Sequence, residues 1–336
     1  MAGYAKPWTC YADQLSILQQ RGMQVSNPAK ALEYLERIGY YRLSGYWYDM
    51  RQWHRNAAGQ RVVTDQFKHG TGFQNVVALY VFDKRLRFLV LDALERIEIA
   101  LRVDLSYRLG RKGAFAYQDA AHFNTTFTQK KKKSGRTAHE EWLSKHDGLI
   151  QRSSEKFIQH NRQKYGTPLA IWVACEVWDF GCLSVLFSGL PEPEQNAIAK
   201  SYGLAADSGS VLASWLRSLN YLRNVCAHHS RLWNRNMVDQ PRLPQPGTVA
   251  ALDAFRRSNQ AQLVARPFVL LCICQHLMRQ INPRSSWGQR ATSLLESFPA
   301  LSHLGLTLQG MGLAAPWLHT PDSAADGEPT WFALLS

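Results

Sequence analysis

The stretch NYLRNVCAHHSRLWNR (220–235) places Arg223, Asn224, His228 and His229 within two helical turns of one another. An imidazole with an ordinary pKa near ~6.5 can accept or give a proton at neutral pH. A guanidinium is permanently cationic and presents a fork of donors that fits phosphate oxygens. Together they could bracket a phosphate, whose chemistry needs one group that moves protons and one that stabilises the charge on its oxygens. Histidine suits the first task and Arg223 the second. Asn224, one turn before His228, could orient the imidazole or bond a phosphate oxygen. This scheme requires neither metal nor cofactor, and the sequence carries no spaced Asp/Glu/His ligand set.

Which histidine would serve is a question of helix geometry. On a wheel drawn through 211–231, His229 falls with Trp215, Leu219, Leu222, Val225 and Cys226 on the apolar, core-facing arc. Arg217, Tyr221, Asn224 and His228 follow one another at steps of four, three and four on the opposite arc, which also holds Arg231. The wheel therefore expects His228 to face a substrate and His229 to be buried. Arg223 lies about 140° round the helix from His228, so one helix brackets a phosphate awkwardly. A second copy facing the first would supply the missing side, and a homodimer is expected. Arg-x4-His also arises by chance in many helices, and a histidine near a helix end is more often a capping or hydrogen-bonded residue than a catalyst.

The elements that must position these residues are helical. In 78–110 apolar residues recur at Leu79, Phe82, Leu86, Val90, Ala93, Ile97, Leu101 and Leu105, the pattern of one long amphipathic helix stopped by Gly110. Further helices are expected at 28–37, 139–163, 168–188, 192–202, 208–233, 250–258, 261–281 and 287–297, with Asn27-Pro28 and Thr167-Pro168 as starts. Only 51–72 suggests a small β-hairpin. The fold class is mainly α. The expected organisation is an N-terminal region (1–72) packed on the core, a helical domain (73–300) and a C-terminal tail (301–336). Glu98 and Arg102, four apart on the long helix, read either as an ordinary helix pair or as a support that positions Arg223. Tyr40, Tyr41, Arg42, Tyr46 and Trp47 could stack bases and contact phosphates, but packing onto the core is the favoured reading.

Composition narrows the partners. The 336 residues are 46% hydrophobic, and 39 basic against 26 acidic side chains give a net charge of +13. Such an excess favours a polyanion such as nucleic acid or an anionic membrane face. Lys130, Lys131, Lys132 and Lys133 concentrate that charge in a polar tract (128–141) that reads as an exposed mobile loop. Six scattered cysteines argue for buried free thiols rather than a zinc site or a disulfide framework. The N-terminus lacks the pattern of a signal peptide, and the apolar run 267–278 is too short to span a bilayer. A cytoplasmic protein without a membrane partner is expected.

RNVCAHH (223–229) resembles the Arg-x4-6-His signature of the HEPN superfamily, and its surroundings resemble the Abi-like abortive-infection proteins of bacteria, including the AbiD and AbiF groups. The likeness extends to YLERIGYYRLSGYWYDMR (34–51), LYVFDKRLRFLVLDALERIEIALR (79–102), VWDFGCLSVLF (177–187) and MGLAAPW (311–317), in family order. The resemblance implies a HEPN-type helical bundle with helical additions and, as in many active members, a metal-independent endoribonuclease working at a dimer interface. It carries Arg223 and His228 onto the signature, Asn224 onto the accompanying polar position, and Glu98 with Arg102 onto a Glu-x3-Arg pair. His229 has a counterpart in these proteins too. Tyr221 is a further supporting candidate, and Arg42, Arg217, Arg231 and the lysine run are candidate RNA contacts. Two functions follow: a toxin-like RNase of anti-phage defence, or a noncatalytic scaffold holding RNA, such as a structured regulatory RNA. A membrane-acting effector is disfavoured, because no segment is fit to span a bilayer.

Overall fold

A computed structural model describes residues 7–257, 261–318 and 330–335. The chain starts with α1 (Tyr11–Gln20), α2 (Pro28–Arg37) and α3 (Tyr40–Trp47), followed by the antiparallel hairpin β1 (Arg51–Arg55) and β2 (Arg61–Phe67). Its turn is closed by the Asn56 side chain, which accepts the N–H groups of Ala58 and Gln60. α4 (Phe73–Gly110) then runs unbroken for 38 residues. Next come α5 (Thr125–Thr128), α6 (Ala138–Arg152), α7 (Lys156–Tyr165), α8 (Ile171–Ala174), α9 (Phe180–Gly189) and α10 (Glu192–Ser201). The order ends with α11 (Gly209–Ala227), α12 (Ala250–Arg257), α13 (Pro267–Ile281), α14 (Trp287–Glu296) and α15 (Trp331–Leu335). The fold is mainly α with one small hairpin.

α4 is the central rod, packed by α3, α9, α11, α13 and α14. It buries Leu79, Phe82, Leu86, Val90, Ala93, Ile97, Leu101 and Leu105, the residues its periodicity marks for the core. One apolar cluster runs from Leu15 to Leu335 and includes Trp47, Trp178, Trp215, Trp233 and Trp287. Trp317 of the Met-Gly-x4-Trp ending packs on Phe255 and Phe268. Of the tail expected at 301–336, residues 319–329 and Ser336 lie outside the described residues.

Four expected helices are broken. The 261–281 helix begins as a 3-10 turn (Ala261–Ala265) and becomes α only from Pro267, after Arg266. The 139–163 helix stops at Arg152 and resumes at Lys156. The 168–188 helix is interrupted at Trp178 and Asp179, where Asp179 caps α9 by accepting the N–H of Cys182. The 208–233 helix ends at Ala227. The lysine tract is exposed but closes on itself through a bridge between Lys131 and Thr137, and Lys132 pairs with Glu141 at 2.6 Å. Cys175, Cys182, Cys226, Cys272 and Cys274 are buried free thiols, and Cys10 is a partly exposed one.

Candidate active site

The early end of α11 decides where the histidines lie. His228 is the C-cap; its N–H reaches the carbonyl of Asn224 at 3.0 Å. The N–H of His229 then bonds the carbonyl of Cys226 and that of Ser230 the carbonyl of Val225, each at 3.0 Å. This pair of bonds is the Schellman closure, which requires a left-handed residue at its centre. That residue is His229, with φ +55°. The burial expected for His229 is therefore wrong: the wheel carried it round a helix that had already ended, and both histidines are exposed. Neither imidazole has a hydrogen bond or ion pair among the described residues.

Position 229 is informative because glycine is the usual occupant of such a turn and any side chain there carries strain. Among the described residues His229 is the only non-glycine with positive φ. The turn keeps an imidazole where glycine would be easier.

The backbone of this turn is clamped from two directions. Arg42 of α3 donates to the carbonyl of His229 at 2.7 Å, and Arg87 of α4 donates to that of Ser230 at 3.4 Å. Arg231 returns the contact by donating to the carbonyl of Gly45. Behind them Asp83, fully buried, accepts the N–H groups of Leu232 and Trp233 at 3.0 and 2.7 Å. It also accepts the Tyr46 hydroxyl at 2.7 Å and pairs with Arg87. The N-terminal aromatic block thus divides: Tyr46 and Trp47 pack inside, while Arg42 holds the histidine turn. Asp83 and Arg87 escaped the sequence reading. A charged pair four apart beside Phe82 and Leu86, on the core stripe of α4, was the available signal.

Arg223 looks elsewhere. It lines an open cavity of about 630 Å³ with Asp92, Glu95, Glu98 and Arg102 of α4, and it donates to the side chain of Asn224 at 3.4 Å. Arg102 pairs with Glu98 at 3.1 Å and donates to the carbonyl of Trp178 at 2.9 Å, so the segment before α9 fixes its direction. Burial pushes the carboxyl of Glu98 up, against the opposing pull of Arg102 and Arg223. Asp179 and Lys145 pair nearby at 2.7 Å, and both crowd Gly181 together with Asn220 of α11. The fold therefore brings Arg223, Glu98 and Arg102 together, while His228 is not part of this cavity's wall.

The outlying candidates differ in what they can offer. Arg217 is exposed on the polar stripe. The Tyr221 hydroxyl accepts from Arg235 at 3.1 Å, a residue the sequence reading did not select. Arg231 is half-buried and held by Gly45, which leaves it little freedom to contact RNA. Lys130, Lys131 and Lys133 are exposed, the first two at the base of the turn that the Lys131–Thr137 bridge closes and the third within it.

No helix among the described residues is long and apolar enough to cross a membrane. Searches among curated proteins and among solved structures find no match. The family model of the Abi-like proteins matches residues 33–234, a span that includes the Arg42 and Asp83 clamps, the Arg223 cavity and the histidine turn. The chain belongs to the Abi-like protein family.

Proposed function

We propose that this Abi-like protein, whose family supports a part in abortive infection, acts there as a metal-independent endoribonuclease. The observation that carries the reading is the histidine turn: two exposed, unpartnered imidazoles on a backbone anchored by Arg42, Arg87 and Asp83, one turn beyond Arg223 and Asn224. In the step itself one imidazole takes the proton of the 2′-hydroxyl as its oxygen bonds to phosphorus. The bond from phosphorus to the 5′-oxygen breaks, and that oxygen receives a proton from a second acid. Positioned proton transfer of this kind is worth about 10²–10⁴ in rate. His228 and His229 can divide the two roles, since both are accessible. Arg223 stabilises the phosphorane. Because Arg223 opens toward α4 and His228 does not line that cavity, the working site is completed across a dimer, one copy supplying the arginine and the other the histidines.

One observation weighs against catalysis within a single chain. Asp92 is paired by Arg96 and Arg290, and Glu95 and Glu98 offset the charges of Arg102 and Arg223, so the Arg223 cavity of one chain offers a phosphate little net positive charge. The experiment that decides is expression of wild type and His228→Ala in a bacterial host with sequencing of RNA 5′ ends, followed by assay of purified protein in EDTA. New 5′-hydroxyl ends with 2′,3′-cyclic or 3′-phosphate partners, lost in the variant, support the RNase. Bound but uncut RNA supports the scaffold, and 5′-phosphate products or strict dependence on a divalent ion point to a metal-assisted route.

A further inference from the structure

Beside the clamped segment, at Trp233 and Asn234, the hairpin and the C-terminal region enclose a second pocket of about 420 Å³. Its wall includes Trp53 and Arg61 of the hairpin, Lys68, Trp233, Asn234 and Arg266. Three cations face one carboxylate there, that of Asp49. Asp49 is already engaged by the Asn234 amide at 2.9 Å and lies 4.0 Å from Arg61.

The cations are held in place by the fold. Lys68 donates to the carbonyls of Asp49 and Leu304 at 2.9 and 2.6 Å, and Arg266 donates to the carbonyl of Asn234 at 2.7 Å. Burial, with Arg61 close by, pushes the Lys68 ammonium down, the condition of a cation group short of negative charge. Two buried polar atoms of the wall residues, Trp233 Nε1 and Asn234 Oδ1, have no hydrogen-bond partner among the described residues. Trp53 adds a half-exposed indole with the Arg61 guanidinium 5.0 Å from its ring centre. The wall thus combines cations for an anion with an aromatic surface for a flat ring.

We infer that this pocket binds a nucleoside monophosphate, its phosphate against Arg61, Lys68 and Arg266 and its base against Trp53. The site is separate from the histidine turn and from the Arg223 cavity, and it stands whether or not the protein cleaves RNA.

The test is isothermal titration of the full chain with AMP, adenosine, inorganic phosphate and a 5′-phosphorylated RNA oligonucleotide, repeated on Arg61→Ala and Trp53→Ala. Both altered side chains are substantially exposed, so melting temperatures without ligand should match wild type. AMP should bind more tightly than either adenosine or phosphate. Arg61→Ala should weaken AMP and phosphate alike, by about tenfold. Trp53→Ala should weaken AMP and leave phosphate unchanged. Equal affinity for AMP and phosphate would overturn the nucleoside assignment, and binding of the oligonucleotide without AMP would make the occupant an RNA end. Binding that survives both substitutions would place the ligand elsewhere, and no binding at millimolar AMP would remove the site.

Discussion

The carboxylate of Asp83 accepts the backbone N–H of Trp233 at 2.7 Å, joining positions 150 residues apart in the chain. With the N–H of Leu232, the Tyr46 hydroxyl and Arg87 on the same group, this one side chain fixes where the histidine turn stands relative to α3 and α4.

Asp83→Ala leaves the buried Arg87 without its counter-charge and two backbone amides without an acceptor. The expected loss is about 3–5 kcal/mol of stability, read from urea unfolding. Asp83→Asn keeps one acceptor oxygen and should lose less. A loss under about 1 kcal/mol for the alanine variant would show that the network is not what anchors the turn.

The two histidines should separate stability from activity. His228→Ala and His229→Ala are surface changes and should each stay within about 0.5 kcal/mol of wild type. His229→Gly relieves the left-handed strain and should be neutral or stabilising by up to about 1 kcal/mol. RNA cleavage should fall at least about a hundredfold in His228→Ala, and His229→Gly tells whether the second imidazole is needed. A His229→Gly protein that is markedly less stable would contradict the geometry of the turn.

Acid should loosen the wall behind Arg102. The Trp178 indole donates to Nδ1 of His146 at 2.8 Å, so the imidazole must be neutral there, and burial lowers its pKa from 6.5. The unfolded chain then binds that proton more readily than the folded one. Stability is fully present above about pH 6.5 and falls as pH drops below it. Melting temperatures between pH 5 and 8 should show this slope. His146→Phe should flatten it, while costing roughly 1–3 kcal/mol at neutral pH through the unpaired indole N–H. An unchanged slope in the variant would assign the acid sensitivity to other groups.

Mixing tests the composite site. Equal amounts of wild type and an Arg223→Ala, His228→Ala double variant, after confirmed subunit exchange, leave about a quarter of dimers wholly wild type. If each site takes its arginine from one copy and its histidines from the other, a mixed dimer has no intact site and activity at equal total protein approaches about a quarter of the wild-type value. Independent sites leave about half. Full activity in a demonstrated monomer would return the whole reaction to one chain.

Much of this architecture is legible in the sequence where local chemistry and packing agree. Asn27 and Pro28 mark the start of α2 to the residue, and the long apolar stripe gives α4 all but its first turn. α1 and α3 went unread because the first is capped by Cys10, an uncommon cap, and the second follows Gly39 at φ +91° without a side-chain cap. The end of α11 was invisible for a sharper reason. No glycine or proline stands between Asn220 and Arg235, and the left-handed role fell to a histidine. A wheel extended past that point misassigned His229 while still placing Asn224 and Arg217 on the polar side. The clamps were beyond local reading altogether, since Arg42, Asp83 and Arg87 act on carbonyls and amides more than 140 positions away.

Those separations also set a time order. A chain emerging from the ribosome has Arg42, Asp83 and Arg87 in place long before the groups they hold, and the amides of Leu232 and Trp233 exist only after more than two-thirds of the polypeptide has been made. Contacts of such range form late because distant segments must meet first. Unfinished chains that stop short of Leu232 lack the amides that Asp83 accepts, so the full anchoring of the histidine turn waits for the last third of the polypeptide.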